Sequence, residues 1–397
     1  MKKLLLASAA TALTAGAAFA AGHASEAKIG IILGFTGPIE SITPAMADSA
    51  ELAISEINES GNFLDGVMLA PARADSTCID ASAATAAAER LVSEGVVAIM
   101  GADCSGVTGA VLSNVAVPNG IPMVSPSATS PALSTAEDNG LFFRTAPSDA
   151  RQGAVIAEIL NEKGVSEVAV TYTNNDYGKG LADAFAQSFE EMGGTVTLSA
   201  PHDDGKADYS AEVGALASAG GEALMVFGYT DQGGKGMIQA SYDTGAFDMY
   251  VMGDGMYGDT LFQEQAEALE GSIGTSPWAQ GDGAEAFDTV ATEAGVDASS
   301  SYTRESYDAA ALIALAMMAG GEASSDAVAA NLMSVANAPG EPILPGELGK
   351  ALEILADGGE IDYVGASGVE LIGPGEAAGS YRHYMIKDGA AETVEFK

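Results

Sequence analysis

The sequence predicts an α/β fold with parallel sheets covered on both faces. Three observations carry this. Short β-rich apolar runs alternate with helical patterns, the alternation restarts after about residue 165, and a mainly helical block follows Pro277. Alternating βα units favour parallel sheets, because each crossover helix returns the chain across one face of the sheet.

The first run is 28–33, followed by the turn 34–38. A helical pattern follows, with Ala50, Ile54 and Ile57 on one face, and it stops at Gly61. Runs 67–74 and 96–101 read as strands, separated by an Ala-rich helix over 81–94. A helix over 105–117 ends at Pro118. Strands at 121–125 and 141–144 close the first round. In the second round, 167–172, 195–199, 223–228 and 248–253 read as strands. The helix over 177–192 is expected to bury Leu181, Phe185, Phe189 and Met192 together. Helices are expected around 284–294, 304–319, 324–335 and 344–357. The tail, 383–387 and 392–396, reads as a hairpin turning at Asp388-Gly389.

Residues 1–20 read as a cleavable secretory signal peptide rather than a membrane anchor. Lys2 and Lys3 precede a short apolar stretch that ends in Ala18-Phe19-Ala20. Cleavage there leaves 14 basic residues against 55 acidic ones, a charge of −41. Such a surface repels phosphate backbones and anionic lipid, so nucleic acid is not an expected partner. Export places the two cysteines, Cys78 and Cys104, in an oxidising compartment, where a pair usually bonds. The alternative is two free thiols. Three scattered histidines do not make a metal centre, and no metal or cofactor is expected.

In open parallel sheets, ligands bind beyond the carboxyl ends of the strands. Five strand ends here carry polar groups. Ser105, Ser127 and Thr129 offer hydroxyls and backbone N–H groups to an anion such as a carboxylate. Asp254 offers a negative charge to an ammonium. Tyr177 and Tyr229 offer aromatic walls with polar tips. The competing reading is that these residues only cap helices and form turns.

The chain resembles the leucine/isoleucine/valine-binding family of type I periplasmic binding proteins, which feed ABC importers. The stretches that carry this are Ile31-Ile-Leu-Gly-Phe-Thr-Gly-Pro38, Ala53-Ile-Ser-Glu-Ile-Asn58, Gly101-Ala-Asp-Cys-Ser105, Ser125-Pro-Ser-Ala-Thr-Ser-Pro131, Asn175-Asp-Tyr-Gly-Lys-Gly-Leu181 and Asp208-Tyr-Ser210. The resemblance implies two doubly wound lobes joined by three crossovers, closing on a ligand. The expected lobes are 27–145 plus 277–365 and 146–276 plus 366–397.

The resemblance also implies roles for individual residues. Ser105 would hold the ligand carboxylate. Ser127, Ala128 and Thr129 would hold carboxylate and ammonium, Tyr177 would wall the site, and Asp254 would pair with the ammonium. The Cys78–Cys104 disulfide is implied as well. Two departures bear on the ligand. Ile39-Glu-Ser-Ile42 stands where the family often has an aromatic wall, and Asp254 is one methylene shorter than a family glutamate. The implied protein is a periplasmic monomer that captures a branched-chain or other neutral amino acid for an inner-membrane ABC permease. A sensor subunit, or a binder of a small carboxylate or amide, is the alternative.

An enzyme is disfavoured. Gly253-Asp-Gly-Met-Tyr-Gly258 matches a dinucleotide-binding pattern, but Asp254 would repel a pyrophosphate. No G-x-S-x-G elbow or H-E-x-x-H helix is present, and His202 reads as part of a surface turn. No catalytic residue is assigned.

Overall fold

The structure is a computed structural model and describes residues 26–373 and 375–397. The signal peptide expected over 1–20 lies outside the described residues.

The first sheet contains β1 (Glu26–Leu33), β2 (Met68–Asp75), β3 (Val96–Gly101), β4 (Met123–Ser125) and β5 (Phe142–Arg144). Their order is β2-β1-β3-β4-β5, and every pairing is parallel. The second sheet begins with β6 (Glu167–Thr173), β7 (Thr195–His202), β8 (Ala223–Phe227), β9 (Tyr250–Met252) and β10 (Ile273–Pro277). Two short strands, β11 (Glu341–Ile343) and β12 (Ile361–Tyr363), pair separately. The terminal β13 (Tyr381–Lys387) and β14 (Ala390–Phe396) complete the second sheet, in the order β14-β13-β10-β9-β8-β6-β7.

The parallel expectation therefore needs one correction. β6 to β10 are parallel, but β13 runs antiparallel to both β10 and β14. The two-residue turn at Asp388 and Gly389, both at positive φ, reverses the chain without a crossover helix.

Burial explains the helices. Helix Thr43–Ser60 buries Ala47, Ala50, Ala53, Ile54 and Ile57 on one face and ends at Gly61 in the left-handed region. It packs on helix Thr303–Gly320, which is buried all round from Thr303 to Met318. Five of the eight residues from Ala309 to Ala316 are alanines. Asp308 on this helix is buried, and it is fully hydrogen-bonded. Its carboxylate accepts from the Tyr363 hydroxyl at 2.8 Å, the Ala366 N–H at 2.7 Å, the Ser367 N–H at 2.7 Å and the Ser367 hydroxyl at 2.5 Å.

The chain passes between the two halves three times. It leaves the first sheet after β5 and enters helix Asp149–Glu162, which packs on helix Asp176–Glu191. It returns after β10 through Trp278 to helix Asp282–Ala294. The last passage precedes β13. Its segment still touches the first half, where the Asn337 amide brackets Leu371 and the Arg144 N–H donates to the Gly375 carbonyl at 2.9 Å.

Several local expectations differ from the structure. Leu181, Phe185 and Phe189 are buried together, but Met192 is 41 % exposed. Met192 follows the last helical residue, where the chain turns at Gly193. His202 does not lie in a surface turn. It ends β7, fully buried, with Nδ1 2.8 Å from the Thr171 hydroxyl. The last helix is shorter than expected, Leu348–Ala356, because Pro345 and Gly346, the latter at positive φ, form a turn before it.

Candidate ligand chamber

The carboxyl ends of both sheets open toward one chamber. The loops after β1 and β3, the start of helix Thr43–Ser60 and the loop after β4 bring Ile39, Ile42, Met46, Asp103, Ser105 and Ser127. The second half brings Tyr177, Tyr229, Asp254 and Gly255 from the ends of β6, β8 and β9. Tyr302 enters from just before helix Thr303–Gly320. These walls lie close together and leave only a narrow space between them, which suits a small guest and no macromolecule.

Asp254 is the electrostatic centre. It is 2 % exposed, and its Oδ1 accepts the Tyr177 hydroxyl at 2.9 Å. Its Oδ2 accepts the Tyr302 hydroxyl in a short hydrogen bond. Burial raises the Asp254 pKa, and the two tyrosine hydrogen bonds oppose that rise. The Tyr177 hydroxyl also accepts the Gly255 N–H at 3.0 Å. Tyr177 stacks on Tyr229 with ring centres 5.3 Å apart, and the Asn175 amide donates to the Tyr229 hydroxyl at 3.1 Å. Any side chain at Gly255 would press on the Gly228 carbonyl and the Tyr177 hydroxyl, which explains the glycine there.

The first half supplies hydroxyls and a fixed loop. The Ser105 hydroxyl accepts the Ser130 N–H at 3.1 Å, and Ser127 donates to the Asp103 carbonyl at 3.1 Å. Asp103 itself is occupied by the N–H groups of Gly34 and Cys104 and the Ser76 hydroxyl. Ala128 and Thr129 are buried next to Ser127 in the loop after β4 but do not line the chamber. The buried Arg144 guanidinium holds this loop from behind, donating to the carbonyls of Ala128 at 3.1 Å and Ser130 at 3.0 Å. Its other arm pairs with Glu376 at 2.6 Å.

Asp149 adds a second buried carboxyl. Its N–H donates to the Thr129 carbonyl at 2.9 Å. Both of its carboxyl oxygens and the Thr129 hydroxyl are buried without a hydrogen-bond partner. Burial, and next the Asp254 charge, push the Asp149 pKa well up. Among the described residues, no Lys or Arg lines the chamber, so its field favours a positive group.

The two halves touch across the chamber mouth. The Asp231 N–H donates to the Pro38 carbonyl at 3.0 Å, and its carboxylate accepts the Ser41 N–H at 2.9 Å. Cys78 and Cys104 are disulfide-bonded beneath the first half's loops, with Cα atoms 5.2 Å apart.

Of the residues read from sequence, Ser105, Ser127, Tyr177, Tyr229 and Asp254 therefore converge on one space. Tyr302, Arg144 and Asp149 were not foreseen. Tyr302 follows three serines and sits at a positive φ, with no local pattern to mark it.

A small-molecule chamber between the strand ends of two α/β sheets defines a substrate-binding protein. The family model described as "Periplasmic binding protein" matches residues 26–349. The Leu/Ile/Val-binding protein homolog 3 of Brucella melitensis is 34 % identical over 64 % of this chain and 68 % of its own length. The chemotactic signal transduction system substrate-binding protein BasB of Halobacterium salinarum is 30 % identical over 92 % of this chain and 88 % of its own. Among solved structures, the leucine binding protein LivK of Thermotoga maritima superimposes with a TM-score of 0.77, covering 93 % of this chain and 98 % of that one at 23 % identity. A solute binding protein of R. palustris in complex with 4-hydroxybenzoate superimposes at 0.76, covering 94 % and 97 % at 18 % identity. The chain belongs to the periplasmic binding protein family, within its Leu/Ile/Val-binding type. Among the described residues, no helix is long and apolar enough to cross a membrane.

Proposed function

We propose that this protein captures a small amino acid in the periplasm, between two closing lobes, and delivers it as a monomer to an inner-membrane ABC permease. The lobes are 27–145 plus 277–365 and 146–276 plus 366–397. Ser105 and Ser127 hold the ligand carboxylate through hydroxyl and N–H groups, and Ala128 and Thr129 shape the loop behind them. Tyr177 and Tyr229 wall the ligand, and Asp254 pairs with its ammonium. One observation carries the amino-acid reading. Asp254 is buried in a chamber lined by no cation, and an ammonium is the group that would balance it. A ligand with a carboxylate and no amine, such as the 4-hydroxybenzoate of one structural neighbour, would leave that charge uncompensated.

A sensory role is the second reading, supported by the chemotactic name of a relative that matches 92 % of the chain. The chamber would serve either role, and only the membrane partner would differ.

A thermal-shift screen against amino acids, amides and amine-free carboxylates tests the ligand class. A ligand at 100 times its dissociation constant adds about 2.7 kcal/mol of stability. Stabilisation by neutral amino acids, with none from their deaminated analogues, is expected. The reverse pattern would overturn the amino-acid reading.

A further inference from the structure

Helix Asp176–Glu191 carries two glycines in its opening turns, Gly178 and Gly180. A glycine inside a helix costs stability relative to alanine, so each needs a reason. Gly178 has a local one. A Cβ there would collide with the Thr173 carbonyl oxygen at the end of β6, in the same half. Gly180 is different. The atoms nearest its missing Cβ are Pro131 Cδ at 3.0 Å, Ser130 Oγ at 3.0 Å and Ser130 Cα at 3.8 Å, and all three belong to the first half.

The surface that Gly180 faces is held in place. The Ser130 N–H donates to the Ser105 hydroxyl at 3.1 Å, and the Ser130 carbonyl accepts from Arg144 at 3.0 Å. The Ser130 hydroxyl accepts the Ala132 N–H at 3.3 Å. Pro131 opens a short 3₁₀ helix, Pro131–Thr135, and its ring fixes the backbone there. The same second-half helix meets another glycine nearby. A Cβ at Gly106, on helix Ser105–Val111, would approach Asp176 Oδ2 at 3.9 Å. The two halves thus approach each other here through residues without side chains.

Gly180 does not line the chamber, but it stands about one turn beyond Tyr177, which does. On the other side, Ser130 is bonded to Ser105 and follows Ser127 by three positions, and both of those serines line the chamber. The Gly180 contact therefore fixes the spacing between the aromatic wall and the hydroxyl wall.

We infer that Gly180 is the stop that sets how far the two halves close, and through closure the affinity of the chamber. It is a positioning residue. It acts through Tyr177 on one side and the Ser105–Ser130 bond on the other, without touching the guest. A side chain at this position presses on the Pro131 ring only when the halves are together, and overpacking of that kind opposes closure. The helix itself gains from losing a glycine. The two effects have opposite signs and belong to different states of the protein. The inference rests on the reading that the halves close on a small guest.

The test compares wild type with Gly180→Ala and Gly180→Val, and uses Gly178→Ala as the contrast. A groove lined by Ala150, Lys179, Asp183 and Gln187 opens beside Gly180, so an unbranched side chain could turn into it. Valine, branched at Cβ, keeps its bulk at the contact. Without added solute, the melting temperature is expected to be unchanged or raised in both Gly180 variants and lowered in Gly178→Ala. The probe for closure is one mixture of the common amino acids with acetate and benzoate, followed by small-angle scattering. The wild-type radius of gyration should fall as the mixture is added. Gly180→Val should need about tenfold or more of the mixture for half the contraction, with Gly180→Ala between the two. Melting temperatures lowered in both Gly180 variants would assign the glycine to the fold and overturn the inference. So would contraction at the wild-type concentration in Gly180→Val. A wild type that does not contract would sink the closing-lobes reading, and the role of Gly180 with it.

Discussion

Tyr177 and Tyr302 meet on one carboxylate from opposite halves of the molecule. Tyr177 stands at the start of a second-half helix and donates to Asp254 Oδ1, while Tyr302 comes from the first half and donates to Oδ2. Asp254 is therefore a bridge between the halves as well as the buried charge of the chamber. Tyr177 and Asp254 share the second half, so only the Tyr302 hydrogen bond crosses between the halves.

Asp254→Asn is expected to weaken binding of an ammonium-bearing ligand by about 30-fold or more. Leaving a buried charge without its partner typically costs about 2–5 kcal/mol, and each 1.4 kcal/mol is about tenfold. Calorimetry with the best screened ligand checks this. A change under about threefold would reject the ammonium role and leave the fold untouched.

Tyr177→Phe and Tyr302→Phe are each expected to lower affinity, because each removes a donor from buried Asp254. Losing one partner of a buried polar group costs about 1–3 kcal/mol. The two effects should not add, since both act on one carboxylate. A double-mutant cycle measured by calorimetry decides. Additivity within about 0.3 kcal/mol would mean that the hydroxyls work independently.

Removing the disulfide with Cys78→Ala plus Cys104→Ala is expected to cost about 3 kcal/mol. The crosslink joins residues 26 apart in sequence, and its loss frees the unfolded chain. Denaturant unfolding measures the loss, and thiol titration of unreduced, denatured wild type should find no free thiol.

His202 and Glu305 predict opposed pH effects. Burial lowers the His202 pKa to about 4, so its neutral form contributes stability that is present above about pH 6.5 and lost as pH falls toward 4. Burial raises Glu305 to about 7, so its neutral form contributes stability present below about pH 4.5 and lost as pH rises through 7. The two trends offset each other in the wild type. Glu305→Gln should gain on the wild type by about 3 kcal/mol between pH 4.5 and 7, at 1.36 kcal/mol per pKa unit. Denaturant melts at five pH values check the difference, and a constant offset would refute it.

Gly153→Ala is expected to destabilise by about 1–3 kcal/mol through overpacking. A Cβ there would lie 2.5 Å from the Phe185 nitrogen on the neighbouring helix. An unchanged melting temperature would show that the helix pair gives way at no cost.

Much of the molecule was legible in the chain. Strands β3 and β8 appear as consecutive apolar residues, because a strand covered on both faces needs no polar side. The polar residues just beyond such strands mark where a site can form, which is how Ser105, Tyr177 and Asp254 were found. Met192 and His202 depart from their local patterns for a common reason. Burial at the end of an element depends on what packs there, and local periodicity does not report that.

Residue identity, strand alternation and strand-end chemistry were set by the sequence alone, because each depends on neighbours a few positions away. Tertiary structure alone decided the partnerships. Arg144 reaches Glu376 across 232 positions, Tyr302 reaches Asp254 across 48, and Arg382 stacks on Trp278 with Ser276 opposite it in the ladder. No short pattern encodes these pairs. They exist because two separately built sheets are brought together by three passages of the chain, and the burial that follows determines which charges must find a partner.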